Sequence, residues 1–328
     1  MNVRPIRPTP GRRRISVAAV ALAATLGLVS LTACSAVTAG DGKKNGKLQV
    51  IASFYPMEFL AQQVGGRHVD VTGLTKPGVE PHDLELTPRQ TGSLADAGAI
   101  VYLKGLQPAV DAAIKQSGNK HVADAASFTH LEKHGAEAGG HEDEGADEHH
   151  DHDGAGTDPH VWLDPVRYAQ VARGVAKTLG EADPEHRADY AHNADELAKR
   201  LDTLNNDFAA GLKNRASDTF ITTHAAFGYL AERYGLVQEA ISGVDPESEP
   251  SAARMKQLHR LAEDHHVSTV FFETLASPAT AKTLAGDLKL KTDVLDPLEG
   301  ITDASRGRDY FGVMKANLAA LQKALGTK

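Results

Sequence analysis

The 328-residue sequence has little of several residue types that define other classes of protein. It contains one cysteine, so neither an intrachain disulfide nor a cysteine-based zinc finger can form. Only 5% of the residues are aromatic, and the formal net charge is -8. An acidic chain lacks the basic surface that nucleic-acid binding needs, so we expect no nucleic-acid partner. Hydrophobic residues reach 41%, which excludes a wholly disordered chain, and the length suffices for about two domains.

The N-terminal segment has the order of a secretion signal. Residues 1–14 carry five arginines and no acid, and residues 15–29 are almost continuously apolar but short for a membrane span. The only cysteine, Cys34, follows the residues Leu-Thr-Ala, a pattern that resembles a bacterial lipobox. We therefore predict a lipoprotein signal over residues 1–33 and an extracytoplasmic protein anchored to the membrane by a lipid on Cys34. A plain secretion signal with an incidental cysteine is the alternative.

Strands and helices are predicted to alternate in two parts of the chain. A small, polar tether over residues 34–47 precedes an N-terminal α/β lobe over residues 48–183, in which residues 161–163 are predicted as a strand. A second α/β lobe is predicted over residues 215–328. Apolar residues at helical spacing predict one long connecting helix over residues 184–214; they include Leu197, Leu201, Leu204 and Phe208. The fold class is therefore α/β, with two Rossmann-like lobes joined by a long rigid helix.

Histidine is abundant, with 16 residues, and five of them lie in one acidic segment. Residues 134–153 also contain eight acidic residues and no lysine or arginine, so they cannot bury a core and are predicted to form a disordered loop. Neutral imidazoles bind zinc, which predicts auxiliary metal contacts in this loop. The alternative is a solvated insertion without a role. The five histidines are His134, His141, His149, His150 and His152.

Four polar residues outside this segment are candidate metal ligands. His224 and Asp296 each directly follow a predicted strand, and open parallel sheets bind ligands at the carboxyl ends of their strands. His82 and His160 each follow a proline, which restricts the backbone. Each of the four has an alternative interpretation as a surface or turn residue. Glu273, at the end of another predicted strand, is a candidate partner for a ligand or a residue bonded only to backbone.

Several motifs that enclose these residues resemble those of one protein family. The segments are PHDLELTP at 81–88, DPHVWLDP at 158–165, THAAFGYL at 223–230 and VLDPL at 294–298. In order and spacing they are similar to the metal-binding lipoproteins of bacterial ABC importers for zinc and manganese, in the zinc-uptake branch. The resemblance covers residues 48–328. It implies one metal in the cleft between the lobes, bound by His82, His160, His224 and Asp296.

The ligand set that the resemblance implies indicates the metal and the function. Three imidazoles and one carboxylate suit tetrahedral Zn²⁺, whereas manganese prefers more oxygen ligands. We expect a monomeric, non-enzymatic protein that delivers Zn²⁺ to an ABC permease and its ATPase. The sequence has neither a His-Glu-x-x-His nor a Gly-x-Ser-x-Gly motif, which argues against a hydrolase. A metal-binding surface adhesin and a manganese-selective homologue are the alternatives.

Overall fold

The computed structural model describes residues 42–135, 137–138, 157–246 and 248–327. The predicted signal, Cys34 and four of the five loop histidines lie outside the described residues. Among the residues described, no helix is long and apolar enough to cross a bilayer.

The first half of the fold is built on a mostly parallel sheet. Its elements are β1 (Lys43–Lys44), β2 (Lys47–Ala52), α1 (Tyr55–Gly65), β3 (Val69–Gly73), α2 (Pro88–Asp96), β4 (Ala99–Tyr102), α3 (Pro108–Ser117) and β5 (Val122–Asp124). The parallel strands run in the order β3-β2-β4-β5, and β1 pairs antiparallel with the start of β2. The four residues of β4 are all buried, as expected for a strand covered on both faces.

The second half repeats this arrangement. Its elements are β6 (Glu137–Ala138), β7 (Thr219–Thr222), α6 (Gly228–Tyr234), β8 (Val237–Ala240), α7 (Ala252–Asp264), β9 (Thr269–Phe272), α8 (Ala279–Leu288), β10 (Lys291–Val294) and α9 (Tyr310–Ala324). The strand order is β10-β9-β7-β8-β6, with only β6 antiparallel. In both sheets the chain moves outward in opposite directions from the first parallel strand, which creates the crevice where such sheets bind ligands.

The predicted long helix is confirmed. A turn at Pro184–His186 precedes α5 (Arg187–Gly211), whose 25 residues extend about 38 Å. Leu197, Leu201, Leu204 and Phe208 are all buried. The helix packs along α4 (Pro165–Ala182), the other long helix of the fold. An α/β fold with two parallel-sheet lobes and a long helix is therefore what the sequence predicted.

The strand predicted over residues 161–163 is wrong. Val161–Leu163 forms a 3₁₀ turn in which Leu163 N donates to His160 O at 3.1 Å. The triplet is apolar because Trp162 is fully buried, not because it belongs to a sheet. Trp162 Nε1 donates to Pro297 O at 2.6 Å, which ties this turn to the second half of the fold.

Two residues of the predicted tether, Lys43 and Lys44, form strand β1. Lys43 Nζ in β1 lies 2.8 Å from Asp183 Oδ1 and forms an ion pair with it. The Asp183 side chain is 1% exposed. The same carboxylate accepts hydrogen bonds from Tyr190 Oη and from His186 Nδ1, both at 2.7 Å. Burial alone would raise the pKa of Asp183, but these partners lower it to about 2. Strand β1 is thereby fastened to the junction between α4 and α5.

We predict that Asp183→Asn destabilises the protein in a pH-dependent manner. Because the folded-state pKa lies below the ordinary value of 3.8, the ionised form contributes stability above pH 4 that is lost between about pH 4 and pH 2. The full contribution is about 2 kcal/mol. Urea unfolding should show this loss in the variant at pH 6 and a much smaller loss at pH 2. The exposed Asp70→Asn is the matched control, and an equal effect of Asp183→Asn at both pH values would contradict the assignment.

Candidate metal centre

Three imidazoles and one carboxylate converge between the two halves of the fold. The Nε2 atoms of His82, His160 and His224 lie 3.2, 3.0 and 3.4 Å from the same oxygen, Oε1 of Glu299. One ligand atom from each of these residues lies within 4.8 Å of all the others, so a single ion can contact the four. The second oxygen of Glu299 and Nε2 of His224 are buried without a hydrogen-bond partner. Buried polar atoms of this kind are costly, and a bound cation would satisfy them.

Two of the histidines are oriented by carboxylates behind them. His160 Nδ1 lies 2.7 Å from Asp158 Oδ1, and His224 Nδ1 lies 2.6 Å from Glu273 Oε1. In each case the bond through Nδ1 leaves Nε2 facing the cluster, the arrangement that fixes metal-binding imidazoles in proteins. Glu273 also accepts a hydrogen bond from Thr223. Glu273 is therefore bonded to the side chain of His224, a candidate ligand, and not only to backbone.

The third histidine is held by a short loop from the first half. His82 N donates to Glu80 Oε1 at 3.2 Å, and the His82 side chain is 12% exposed, whereas the other two are fully buried. His82 is thus the most solvent-exposed of the three imidazoles. Burial and the nearby Glu299 carboxylate raise the pKa of its partner Glu80 to about 8.

Asp296, predicted as the fourth ligand, lies outside the group of four. Its Oδ1 accepts from Leu298 N at 2.8 Å and its Oδ2 accepts from Thr274 Oγ1 at 3.0 Å. Its main chain is bonded on both sides to the side chain of Asn317, at 3.0 and 2.7 Å. Asp296 therefore builds the turn, which is the alternative interpretation that its position before Pro297 left open.

The turn made by Asp296 delivers Glu299 to the cluster. Leu298 is fully buried and has a φ of 62°, a left-handed conformation that costs a residue with a side chain about 1–2 kcal/mol. The hydrogen bond to Asp296 and the burial of Leu298 compensate this strain. The reversal directs Glu299, 1% exposed, at the three imidazoles. No motif in the sequence identified Glu299. The one hint in the sequence is that Glu299 lies three residues after Asp296, the predicted ligand.

The cluster is strongly polarised. Burial alone would raise the pKa of the Glu299 carboxyl, but the three imidazoles that face it hold that pKa well below its usual range. Burial alone would lower the pKa of His224, yet the carboxylates of Glu273 and Glu299 raise it well above the ordinary value. Metal binding requires a deprotonated imidazole at His224, so any metal affinity of the cluster should fall as the pH falls.

A second group of metal-ligand types lies at the helix junction, formed by Asp183, Glu185 and His186. Lys43 and Tyr190 already occupy the Asp183 carboxylate. This group is accounted for by the structural role described above.

His134 is the one histidine of the predicted loop that the structure describes. Its Nδ1 lies 2.8 Å from Asp158 Oδ2, and its side chain is 11% exposed. It is therefore packed against the fold behind His160 and not extended into solvent.

Comparison with known proteins shows the family of the chain. Residues 50–324 match the family model described as the periplasmic component A of a zinc-uptake complex, ZnuA. The chain belongs to this family. The ZnuA family is a transport family, which confirms the prediction of a non-enzymatic binding protein. The high-affinity zinc uptake system protein ZnuA of Bacillus subtilis (strain 168) is 34% identical over 317 residues, which cover 94% of this chain and 97% of that protein.

Two streptococcal proteins are also similar. The zinc-binding lipoprotein AdcA of Streptococcus pneumoniae (strain ATCC BAA-255 / R6) is 36% identical over 307 residues, 92% of this chain but 60% of AdcA. The chain thus spans about three fifths of that relative. The Zn(II)-bound ZnuA-like domain of AdcA matches with a TM-score of 0.69 and 33% identity, over 85% of this chain and 99% of the domain. The laminin-binding protein Lbp of Streptococcus pyogenes matches with a TM-score of 0.71 and 31% identity, over 85% and 99%.

Proposed function

We propose that the chain binds one Zn²⁺ with His82, His160, His224 and Glu299 and delivers it to an ABC permease. The observation that carries the proposal is the convergence of three Nε2 atoms on one buried carboxylate oxygen. Three nitrogen ligands and one oxygen ligand match the tetrahedral coordination of zinc. All four positions come from protein side chains, which fits a carrier better than an enzyme that keeps a position open for water.

The ligand set favours zinc over manganese. Manganese is generally bound by carboxylates, carbonyls and water, whereas this cluster offers one carboxylate. His224 lies two residues after the end of strand β7, is oriented by Glu273 and supplies the third nitrogen. A manganese-selective homologue is therefore the weaker of the two metal assignments.

We further propose that the protein acts outside the cytoplasmic membrane, anchored by a lipid on Cys34. The support is the lipobox-like sequence before Cys34 and the name of the similar AdcA, a zinc-binding lipoprotein. The partners would be the permease and its ATPase, and the protein would act as a monomer. Incorporation of labelled fatty acid into the chain, and its loss in Cys34→Ala, tests the anchor.

Zinc titration of the purified protein, with manganese as competitor, tests the metal assignment. The sole tryptophan, Trp162, has its ring centroid 5.1 Å from that of His160, so its fluorescence is a probe of the site. We expect one equivalent of zinc to saturate the change in signal and a large molar excess of manganese to leave it unaltered. Displacement of zinc by equimolar manganese would contradict the assignment of zinc as the metal and would leave the assignment to metal transport in place.

A second candidate function, adhesion, comes from the similarity to the laminin-binding protein of S. pyogenes. Immobilised laminin would be exposed to the zinc-loaded protein and to the His224→Ala variant. Saturable binding to laminin would support adhesion as an additional function. Its absence, together with zinc-dependent binding to the permease, would leave transport alone.

A further inference from the structure

A chain of hydrogen bonds connects the metal cluster to the start of the histidine-rich segment. Asp158 is fully buried and uses both of its carboxylate oxygens. Oδ1 accepts from the main-chain N and from Nδ1 of His160, at 2.9 and 2.7 Å. Oδ2 faces His134 Nδ1 at 2.8 Å, 24 residues earlier in the chain. One carboxylate therefore orients both a proposed metal ligand and a histidine of the segment.

The fold reserves space for the His134 ring. Helix α6 begins at Gly228, and a Cβ added at this residue would lie 2.4 Å from Cγ of His134. The ring of Tyr229 meets the imidazole edge-on, with centroids 4.7 Å apart. A histidine on a solvated loop would need neither a glycine at position 228 nor the contact with the Tyr229 ring.

The described residues that flank the segment, Glu132 and Asp158, are bonded to each other at this place. Asp158 N donates to Glu132 O at 2.9 Å, and the Tyr229 hydroxyl donates to Asp158 O and accepts from Glu132 N, both at 2.8 Å. Beyond His134, strand β6 pairs with β8 of the second sheet. Glu132 and Asp158, which flank the segment in the sequence, are therefore joined directly behind His160.

We propose that His134 is a positioning residue for the metal site, which acts on His160 through Asp158. The inference deepens the proposed zinc function and rests on it. The Nδ1–H of His134 donates to Asp158 Oδ2 and so helps to hold the carboxylate whose other oxygen accepts from His160. If His134 is removed, Oδ2 becomes a buried acceptor without a partner, and the carboxylate is free to rotate toward other donors. His160 then loses the orientation that a second hydrogen-bonding shell gives a metal ligand.

The test compares two substitutions of His134 in the full chain. His134→Ala removes the donor and should lower zinc affinity about tenfold, the lower end of the effect of losing such partners. In His134→Asn, the side-chain amide Nδ2 takes the place of Nδ1 and should restore affinity to within about twofold to threefold of wild type, although it lacks Nε2. His130→Ala, at a side chain 81% exposed on the same stretch, is the matched control and should bind like wild type.

Two further variants separate this role from the alternatives. Gly228→Ala places a methyl group against the ring and should weaken zinc binding although it removes no ligand. Deletion of residues 139–156, which retains His134 and β6, should leave affinity within about threefold because it spares the hydrogen bond to Asp158. Zinc affinities would come from competition with a chromophoric chelator, and thermal unfolding of each metal-free variant would be recorded.

The outcomes distinguish this inference from the proposed function. A wild-type zinc affinity in His134→Ala would overturn the positioning role and leave the zinc site intact. A loss in both His134→Ala and His134→Asn would also overturn it, because the hydrogen bond to Asp158 would then not be what the site requires; the Nε2 side of the ring, which lies 3.5 Å from Glu232 Oε2, would matter instead. If the wild-type protein itself bound no zinc, the proposed function would fail before any variant was compared.

Discussion

His224→Ala should reduce zinc affinity more than any substitution behind the cluster, by well over the tenfold to hundredfold that the loss of a ligand's hydrogen-bond partner costs. The substitution removes one of the three nitrogen ligands and leaves Glu273 buried without the imidazole it pairs with at 2.6 Å. In the metal-free state the change also removes a positive partner of Glu299. Isothermal titration calorimetry with a competing chelator measures the affinity.

The control for this prediction is His265→Ala, at an exposed residue beyond helix α7. It removes one histidine and no member of the cluster, so the stoichiometry and affinity should match wild type. Comparable losses in the two variants would show that the cluster of His82, His160, His224 and Glu299 is not the high-affinity site.

Glu299→Gln and Asp296→Asn should have very different effects on zinc binding. Glu299→Gln removes the only negative charge among the four proposed ligands and should weaken affinity by more than tenfold, since a carboxylate is a much better zinc ligand than an amide. Asp296→Asn keeps an oxygen that accepts from Leu298 N, so the turn and the position of Glu299 are retained. Its expected effect is about threefold or less, within the range for a partially satisfied hydrogen bond.

The order of these two effects decides the fourth ligand. Both variants neutralise one buried carboxylate, so each is the matched control of the other for loss of charge. Cobalt substitution adds an independent readout, because absorption of the bound ion reports a change in its ligand set. If Asp296→Asn were the more damaging change and altered this absorption, the ligand would be Asp296, as the sequence suggested.

The three histidine positions were accessible from sequence because local features mark them. His224 follows a strand, and His82 and His160 follow prolines within recognisable motifs. Glu299 was missed for a physical reason. Its approach to the cluster depends on the positive φ of Leu298 and on the hydrogen bond from Leu298 N to Asp296. Neither can be read from composition or periodicity, and an aspartate after a strand is the more obvious ligand.

The turn at Val161–Leu163 illustrates the same limit. Three consecutive apolar residues predict a buried strand, since burial and strand formation produce the same short pattern. Here Trp162 is buried through a contact with the second half of the fold, where its indole donates to Pro297 O. Sequence separation of 135 residues hides that contact from any local pattern.

The sequence by itself determined the fold class and the long helix and singled out the three histidines that the structure brings together, because these follow from periodicity and from residue types beside strand ends and prolines. The tertiary structure decided the fourth member of the cluster and the place of His134. Both depend on hydrogen bonds between residues far apart in the chain: Glu299 with the three imidazoles, and Asp158 with His134 and His160. The single cysteine excluded a cysteine-based zinc finger from the start, and only the folded chain shows which carboxylate joins the three imidazoles.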